Sequence, residues 1–426
     1  MHRVTRPPYL ACLIVGLGGL FFGVTGPLLS TFVPLLVRDT LGDQRTLIGI
    51  VMAIDNVLLL LLVPWAGAAS DRATARGGGR LPIMLGGLVL SAAGMALFPW
   101  SPAFGLAGII GAIVVLYAGI NILRSPFQAV IADLVPSKYR SLATGSVTFQ
   151  MCVGAIVFLM LGRILGMRTA FTLAAITVLV IAAVFAIRLR ESAPSSADRD
   201  DAQAVGSLAA AVWAAVRGAI PGLRAVFLAA LLVQLTFQSF TTWYALHAIE
   251  RFGIAPGDVT IGFIAWALGG VVGALPAGII GVRIGRRNAM MLGPFLMEAS
   301  LVALDRITDL RLAIPLLALA SAAWTFPTVN AYPLFIEQIP KPRRGILAAL
   351  YLLSMALGGG IGDPLNGVIF DLAASYRPLF LLMAGYTALA FVAVLFVPAG
   401  VGEADTGRDA SAMSTRFATG PTTNNA

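Results

Sequence analysis

Apolar residues in this chain come in long runs separated by short charged clusters or Pro/Gly breaks. The runs cover residues 9–37, 46–69, 82–100, 104–132, 141–165, 169–188, 223–247, 259–281, 288–304, 312–336, 346–370 and 377–397. A helix of roughly 20 residues crosses a hydrocarbon core of about 30 Å, so the pattern predicts an all-α membrane protein with twelve transmembrane helices. The ninth run is the shortest, and the charged cluster Asp305, Arg306, Asp309 and Arg311 marks its end more firmly than hydropathy does.

One long polar interruption, opening with Glu191, Asp198, Arg199, Asp200 and Asp201, divides the runs six and six. The expected organisation is an N-terminal six-helix bundle over 1–188, a cytoplasmic linker over 189–222, a C-terminal six-helix bundle over 223–397 and a disordered cytoplasmic tail over 398–426. The first run is about twice the length of a signal-peptide core, so it is expected to stay in the membrane.

Composition agrees: 58% of the 426 residues are apolar and 12% charged, against roughly 45–50% and 25% in soluble domains. That excludes a soluble enzyme. Phosphate-loop and metal-ligand motifs are missing, so no cofactor or metal is expected and energy must come from a gradient. Cys12 and Cys152 both sit in apolar runs and read as packing residues. The net charge of +9 comes almost wholly from arginine, with Lys138 and Lys341 the two lysines. No basic stripe suggests nucleic acid. Instead, twenty of the 29 basic residues fall in loops on one side and seven on the other, which by the positive-inside rule places both termini in the cytoplasm and the chain in the inner (plasma) membrane.

The halves also repeat each other. Asp133, Pro136 and Arg140 recur as Glu337, Pro340 and Arg344 with identical spacing, and Gly67, Asp71, Arg72 and Arg80 recur as Gly278, Val282, Arg283 and Arg287 at nearly the same offset. Two such matches argue for duplicated, pseudo-symmetric halves, an architecture of secondary transporters.

Gly67-x-x-x-Asp71-Arg72 followed by Gly79-Arg80, with its second copy at Gly278–Arg287, resembles the loop signature of the major facilitator superfamily. Asp55-Asn56 ahead of Pro64-x-x-Gly67-x-x-Ser70-Asp71-Arg72, with Arg124, Ala132-Asp133 and Asn330-x-Tyr332-Pro333, is similar to its sucrose and maltose proton-symporter branch, related to the glycoside–pentoside–hexuronide:cation symporters. The resemblance implies the major facilitator fold. It further implies that the loop acid contacts the opposite half and stabilises the outward-open state, making Gly67, Asp71, Arg72, Arg80, Asp133, Arg140, Arg283, Glu337 and Arg344 a conformational latch. The second copy departs from the pattern, because Val282 stands where the acid belongs.

Charge within the runs points to mechanism, since a charged side chain at the bilayer centre costs at least about 2.5–3.5 kcal/mol. Asp55, Glu298 and Asp363 are therefore candidates to load and release a proton, with Asp55, beside Asn56, first among them. Asp363 follows a glycine-rich stretch that suits gating. Arg124 either faces the cavity and pairs with Asp55 or joins Asp133 and Arg140 in the loop network, and its depth favours the second. Asn121, Gln150, Gln234, Gln238, Asn330, Tyr332 and Asn366 are candidates to line a substrate cavity, with Trp243, Trp266 and Trp324 as stacking platforms. Amides with aromatics suit a neutral polyol. His247, at the outer end of its run, is expected to be a solvated interfacial residue.

These features predict a monomeric, non-enzymatic secondary transporter that works by alternating access, with protons and a small-molecule substrate as partners and sugar symport as the leading reaction. A proton-driven exporter of drugs or other amphipathic compounds, which would have a larger, more aromatic and less amide-lined cavity, is the alternative. A non-transporting receptor or scaffold ranks below both. Restoring the missing acid with Val282→Asp should strengthen the second latch and shift the balance of states; cysteine accessibility measured on each face should change in opposite directions.

Overall fold

The computed structural model describes residues 9–136, 139–189, 223–338 and 344–397. Most of the expected linker and all of the expected tail lie outside them. No strand occurs among the described residues. The helices are α1 (Tyr9–Leu41), α2 (Arg45–Met52), α3 (Ile54–Ala75), α4 (Leu81–Leu97), α5 (Gly105–Leu134), α6 (Arg140–Leu165), α7 (Met167–Arg188), α8 (Leu223–Phe252), α9 (Val259–Ile284), α10 (Arg286–Arg306), α11 (Leu310–Gln338), α12 (Arg344–Ala373) and α13 (Leu379–Leu395). A 3-10 turn, Phe98–Phe104, joins α4 to α5 around Pro99 and Pro102.

Eight stretches among the described residues are long and apolar enough to cross a membrane, and one of these, Leu81–Ile131, folds as the two helices α4 and α5. With α10, α12 and the shorter apolar α13 they account for the twelve expected runs. The second run is broken: α2 ends at Met52, and a turn at Ala53 restarts the helix as α3. No proline or glycine occupies that turn, so the break is invisible to sequence signals. It sets Asp55 and Asn56 in the first turn of α3.

Helix pairing repeats between the halves. α1 packs on α6, α3 on α5, and α4 on α5 and α7; likewise α8 packs on α12, α9 on α11, and α10 on α11 and α13. Without a strong hydrophobic drive between helices in lipid, such contacts depend on small residues and interhelical hydrogen bonds. On α1, a Cβ at Gly19 would lie 2.0 Å from the Val147 carbonyl oxygen, and one at Gly23 would lie 1.9 Å from that of Met151. Hydroxyls inside the helices satisfy themselves locally: Thr25 donates to the Phe21 carbonyl at 2.9 Å and Ser91 to that of Gly87 at 2.8 Å.

The halves meet through α1–α8, α2–α12, α3–α12 and α6–α9. At one end of the molecule, here the Asp371 face, this seam is tight. A Cβ on Gly49 would sit 2.3 Å from the Asp363 carbonyl oxygen, and one on Gly367 would sit 2.6 Å from that of Arg45. Asp371, in the last turn of α12, caps α2 across the seam, accepting from the Arg45 N–H at 3.0 Å, the Thr46 N–H at 2.8 Å and the Thr46 hydroxyl at 2.5 Å. The Arg45 guanidinium lies 4.7 Å from the Tyr376 ring centre. Arg163 on α6 pairs with Asp258, the residue before α9, at 2.9 Å.

Partial burial pushes the Asp371 carboxyl up, but the hydrogen bonds from Thr46 and Arg45 outweigh it and hold the group below the usual carboxylate range. Its contribution to closure is therefore complete above that range and is lost as pH falls through the lowered value. Gly49→Val should force α2 off α12, raising hydrogen exchange along Arg45–Met52. Gly26→Val is the control, because nothing lies within 4 Å of its Cβ position, and it should leave that exchange unchanged.

Candidate functional site

Between the halves lies a cavity of about 750 Å³. Its lining runs from Met52, Asp55 and Asn56 at the α2–α3 break to Gln128 and Ile131 late in α5 and Thr144 early in α6. It thus extends away from the tight seam toward the opposite end, the Asp71 face.

The two walls differ in chemistry. The first half contributes Asp55 and Arg124, with Asn56, Gln128, Thr25 and Ser30, and the aromatic residues Phe22, Tyr117 and Phe127. Among the described residues the second half contributes no charged side chain to the lining: Phe237, Phe240, Phe263, Trp266 and Met355 form an apolar wall, edged by Gln238, Thr241 and Thr242. Phe240 stacks on Trp266 with ring centres 3.9 Å apart and on Tyr244 at 4.7 Å, while Phe237 stacks on Trp324 at 4.6 Å. The cavity is therefore polar and charged on α3 and α5 and aromatic on α8 and α9.

Asp55 accepts a hydrogen bond from Asn121 Nδ2 at 2.8 Å and lies within the electrostatic reach of Arg124. Arg124, whose depth in the chain had favoured the loop network, lines the cavity beside Phe22, 6.0 Å from that ring's centre, and its Nε has no hydrogen-bond partner. Asp363 is buried in the seam, close enough to Asp55 for their charges to interact, with Tyr117 within reach of both. Asn56 is buried against Gly359 of α12, and its Nδ2 is unpartnered. The break at Ala53 brings about this meeting of α3 and α12.

Of the proposed substrate-contacting residues, Gln238 lines the cavity and Asn121 reaches it through Asp55. The others described are used for packing. Gln150 donates to the Leu13 carbonyl at 3.0 Å, joining α6 to α1, and Asn330 donates to the Ala277 carbonyl at 3.1 Å, joining α11 to α9. Gln234 is buried against Gly358, and Asn366 is held between Ser239 and Tyr386. Amides in lipid-embedded helices find such partners readily, each bond adding on the order of 0.6–2 kcal/mol. The side chain of Tyr332 lies outside those described.

Glu298 does not reach the cavity. It sits half-buried on α10, a helix packed on α11 and α13, with Oε2 lacking a partner. Trp266 lines the cavity, whereas Trp243 is fully buried against Phe370. His247 is buried rather than solvated, its Nδ1 2.9 Å from the Tyr376 carbonyl and its ring edge-on to Phe380. Sequence missed Tyr117, Phe240 and Phe263, since an aromatic in an apolar run carries no mark of whether it faces lipid, core or cavity.

At the Asp71 face the expected latch residues gather within the first half. Arg80 donates to Asp133 at 2.8 Å, to Ser70 at 3.1 Å and to Asp71. Among the described residues, Asp71 is thus paired inside its own half. Gly67 approaches Ser125 of α5. Arg72 and Arg283 are exposed, as is Val282. The side chains of Arg140, Glu337 and Arg344 lie outside those described.

Comparison with known proteins agrees with this architecture. The profile of the Major Facilitator Superfamily matches residues 11–263 and again 226–421. The tetracycline resistance protein, class B, of Escherichia coli is 26% identical over 379 residues, spanning 85% of this chain and 88% of that protein. Among solved structures, a bacterial homologue of the human lysosomal transporter Spinster, in an inward-facing and occupied conformation, superposes with a TM-score of 0.73 at 15% identity, covering 91% of this chain and 95% of that one. A D-xylose–proton symporter superposes with a TM-score of 0.69 at 16% identity, covering 92% and 97%. With profile matches across both halves and two equivalent sets of helix pairs, the chain is a multi-pass membrane transporter that belongs to the Major Facilitator Superfamily.

Proposed function

We propose that this transporter is a proton-coupled exporter of amphipathic, ring-bearing solutes, working by alternating access in the plasma membrane with both termini in the cytoplasm. The observation that carries the reading is the two-faced cavity: a stacked aromatic wall on α8 and α9 opposite a wall holding Asp55 and Arg124. An apolar aromatic wall suits a planar apolar body, and the opposite wall suits a polar or charged head. The sequence likeness to a tetracycline resistance protein along most of the chain points the same way.

Asp55 is the exchange site in this scheme. It faces the cavity, so one carboxylate can hold either a proton or the solute's polar head, and Asn121 keeps it in place for both. Competition for one group keeps proton and solute from crossing together, and it gives exchange when the carrier switches states only with one of the two bound. The loop charge bias puts the Asp71 face in the cytoplasm, which makes the present state inward-open. The Asp71–Arg80–Asp133 cluster is then a latch that has retracted into its own half and re-engages the other when the molecule opens outward.

Sugar symport is the second reading. Asn56, Gln128 and Gln238 face the cavity as a polyol would require, the motif likeness to the sucrose and maltose branch supports it, and a D-xylose–proton symporter shares the fold.

Proteoliposomes with an imposed pH gradient separate the two, offered tetracycline, a planar fluorescent dye and a disaccharide. The exporter reading expects the dye or tetracycline to move against the proton flux and this movement to vanish in Asp55→Asn; sugar accumulating with the protons, and no dye movement, would overturn it. Trp266 and Trp243 are both buried, so Trp266→Ala and Trp243→Ala should each lower the melting temperature. Only Trp266→Ala, at the cavity wall, should in addition weaken binding of the transported ring compound by roughly two- to ten-fold, the value of one aromatic stack.

A further inference from the structure

Asp363 is the group in the fold that the exchange scheme leaves unused. It is 1% exposed, in the part of α12 that packs against α2, and its own backbone carbonyl is the atom that Gly49 approaches. Neither carboxylate oxygen makes a hydrogen bond of good geometry, although Thr242 of α8 lies beside it. The ionisable groups that face it are Asp55 of α3, Tyr117 of α5 and Tyr386 of α13. No lysine or arginine pairs with it among the described residues. Asp55 is therefore a like charge, and the two tyrosines add no positive charge. On the α2 side the nearest cation is Arg45, which is engaged with Asp371 and Tyr376 at the end of the seam.

A carboxylate in that setting has lost water and gained little beyond the Thr242 hydroxyl in return, whereas the neutral acid fits the same space at little cost. Separating α2 from α12 would admit water and remove the penalty on the charge. We propose that Asp363 is a second proton site, distinct from Asp55, and that the seam at the Asp371 face closes only when Asp363 carries its proton.

Protonation from that face then becomes a condition for closing it. Without a proton the transporter stays open there, so an empty and unprotonated carrier does not return. Asp55 exchanges proton for solute in the cavity, while Asp363 makes the return step depend on protons. The inference needs alternating access but not the exporter reading, since it makes no reference to the solute.

Two carboxylates at the seam predict opposite responses to pH. Closure that depends on neutral Asp363 weakens as pH rises. Closure through ionised Asp371 weakens as pH falls, because its hydrogen bonds require the charge. The sign of the response therefore identifies the group.

The test is a distance measurement on the full chain in lipid nanodiscs, with Cys12 and Cys152 replaced and spin labels at Gln44→Cys and Ala373→Cys, both exposed and on opposite sides of the seam. Between about pH 5.5 and about pH 8.5 the ratio of short to long distances should fall, by at most about ten-fold per pH unit for one proton. In Asp363→Asn, and equally in Asp363→Leu, the short distance should dominate throughout. A pH response unchanged in both variants, no response in the parent chain, or opening on acidification would each overturn the proposal. The readout uses neither solute nor gradient, so its failure leaves the exporter reading standing, and failure of the transport assay leaves this one standing.

Discussion

The approach of α2 to α12 is the contact on which the other features of the molecule depend. Gly49 and Gly367 let the backbones meet, and Asp371 ties the N-terminus of α2 to the opposite half. Closing the halves here leaves them apart at the other end, and that separation is the cavity. The same contact encloses Asp363 and presses Asn56 onto Gly359.

Lipid imposes the second constraint. A polar atom inside the bilayer has no water to turn to, so hydroxyls and amides bond within or between helices, and Gln150, Asn330 and Asn366 do so. Against that background, Asp55, Arg124 and Asp363 stand out. Asp55 and Arg124 face the cavity, and Asp363 lies at a seam that must open for transport. These three charges stand where water can come and go, whereas Glu298 lies away from the cavity.

Much of this could be read from the sequence. Twelve apolar runs, a central break and two repeated loop motifs identified the fold, because membrane thickness and loop charge are written directly into composition. The charged residues Asp55, Asp363 and Arg80 could be found for the same reason: charge in or beside an apolar run has few explanations. The side chains lining the cavity were harder. Asn121 contributes by holding Asp55, whereas Gln234 and Asn330 are of the same chemical type and pack helices, and only the rotation of each helix separates the two roles. Phe240, Phe263 and Tyr117 were hidden by the apolar background, and the turn at Ala53 carries no sequence mark. Arg124 was misjudged because depth along a helix says nothing about which way it faces. Of the amides expected in the cavity Gln238 lines it, with Asn56 and Gln128, beside an aromatic wall, and it is on that wall that the proposal of export rests.

The central claim is that proton and solute compete for Asp55. Proton exchange on solute binding tests it most directly: the purified transporter, in weakly buffered detergent solution at a pH where Asp55 is protonated, is mixed with a saturating transported compound while bulk pH is followed. Competition predicts release of about one proton per bound solute, absent in Asp55→Asn. Proton uptake on binding, or release that persists in Asp55→Asn, would contradict it.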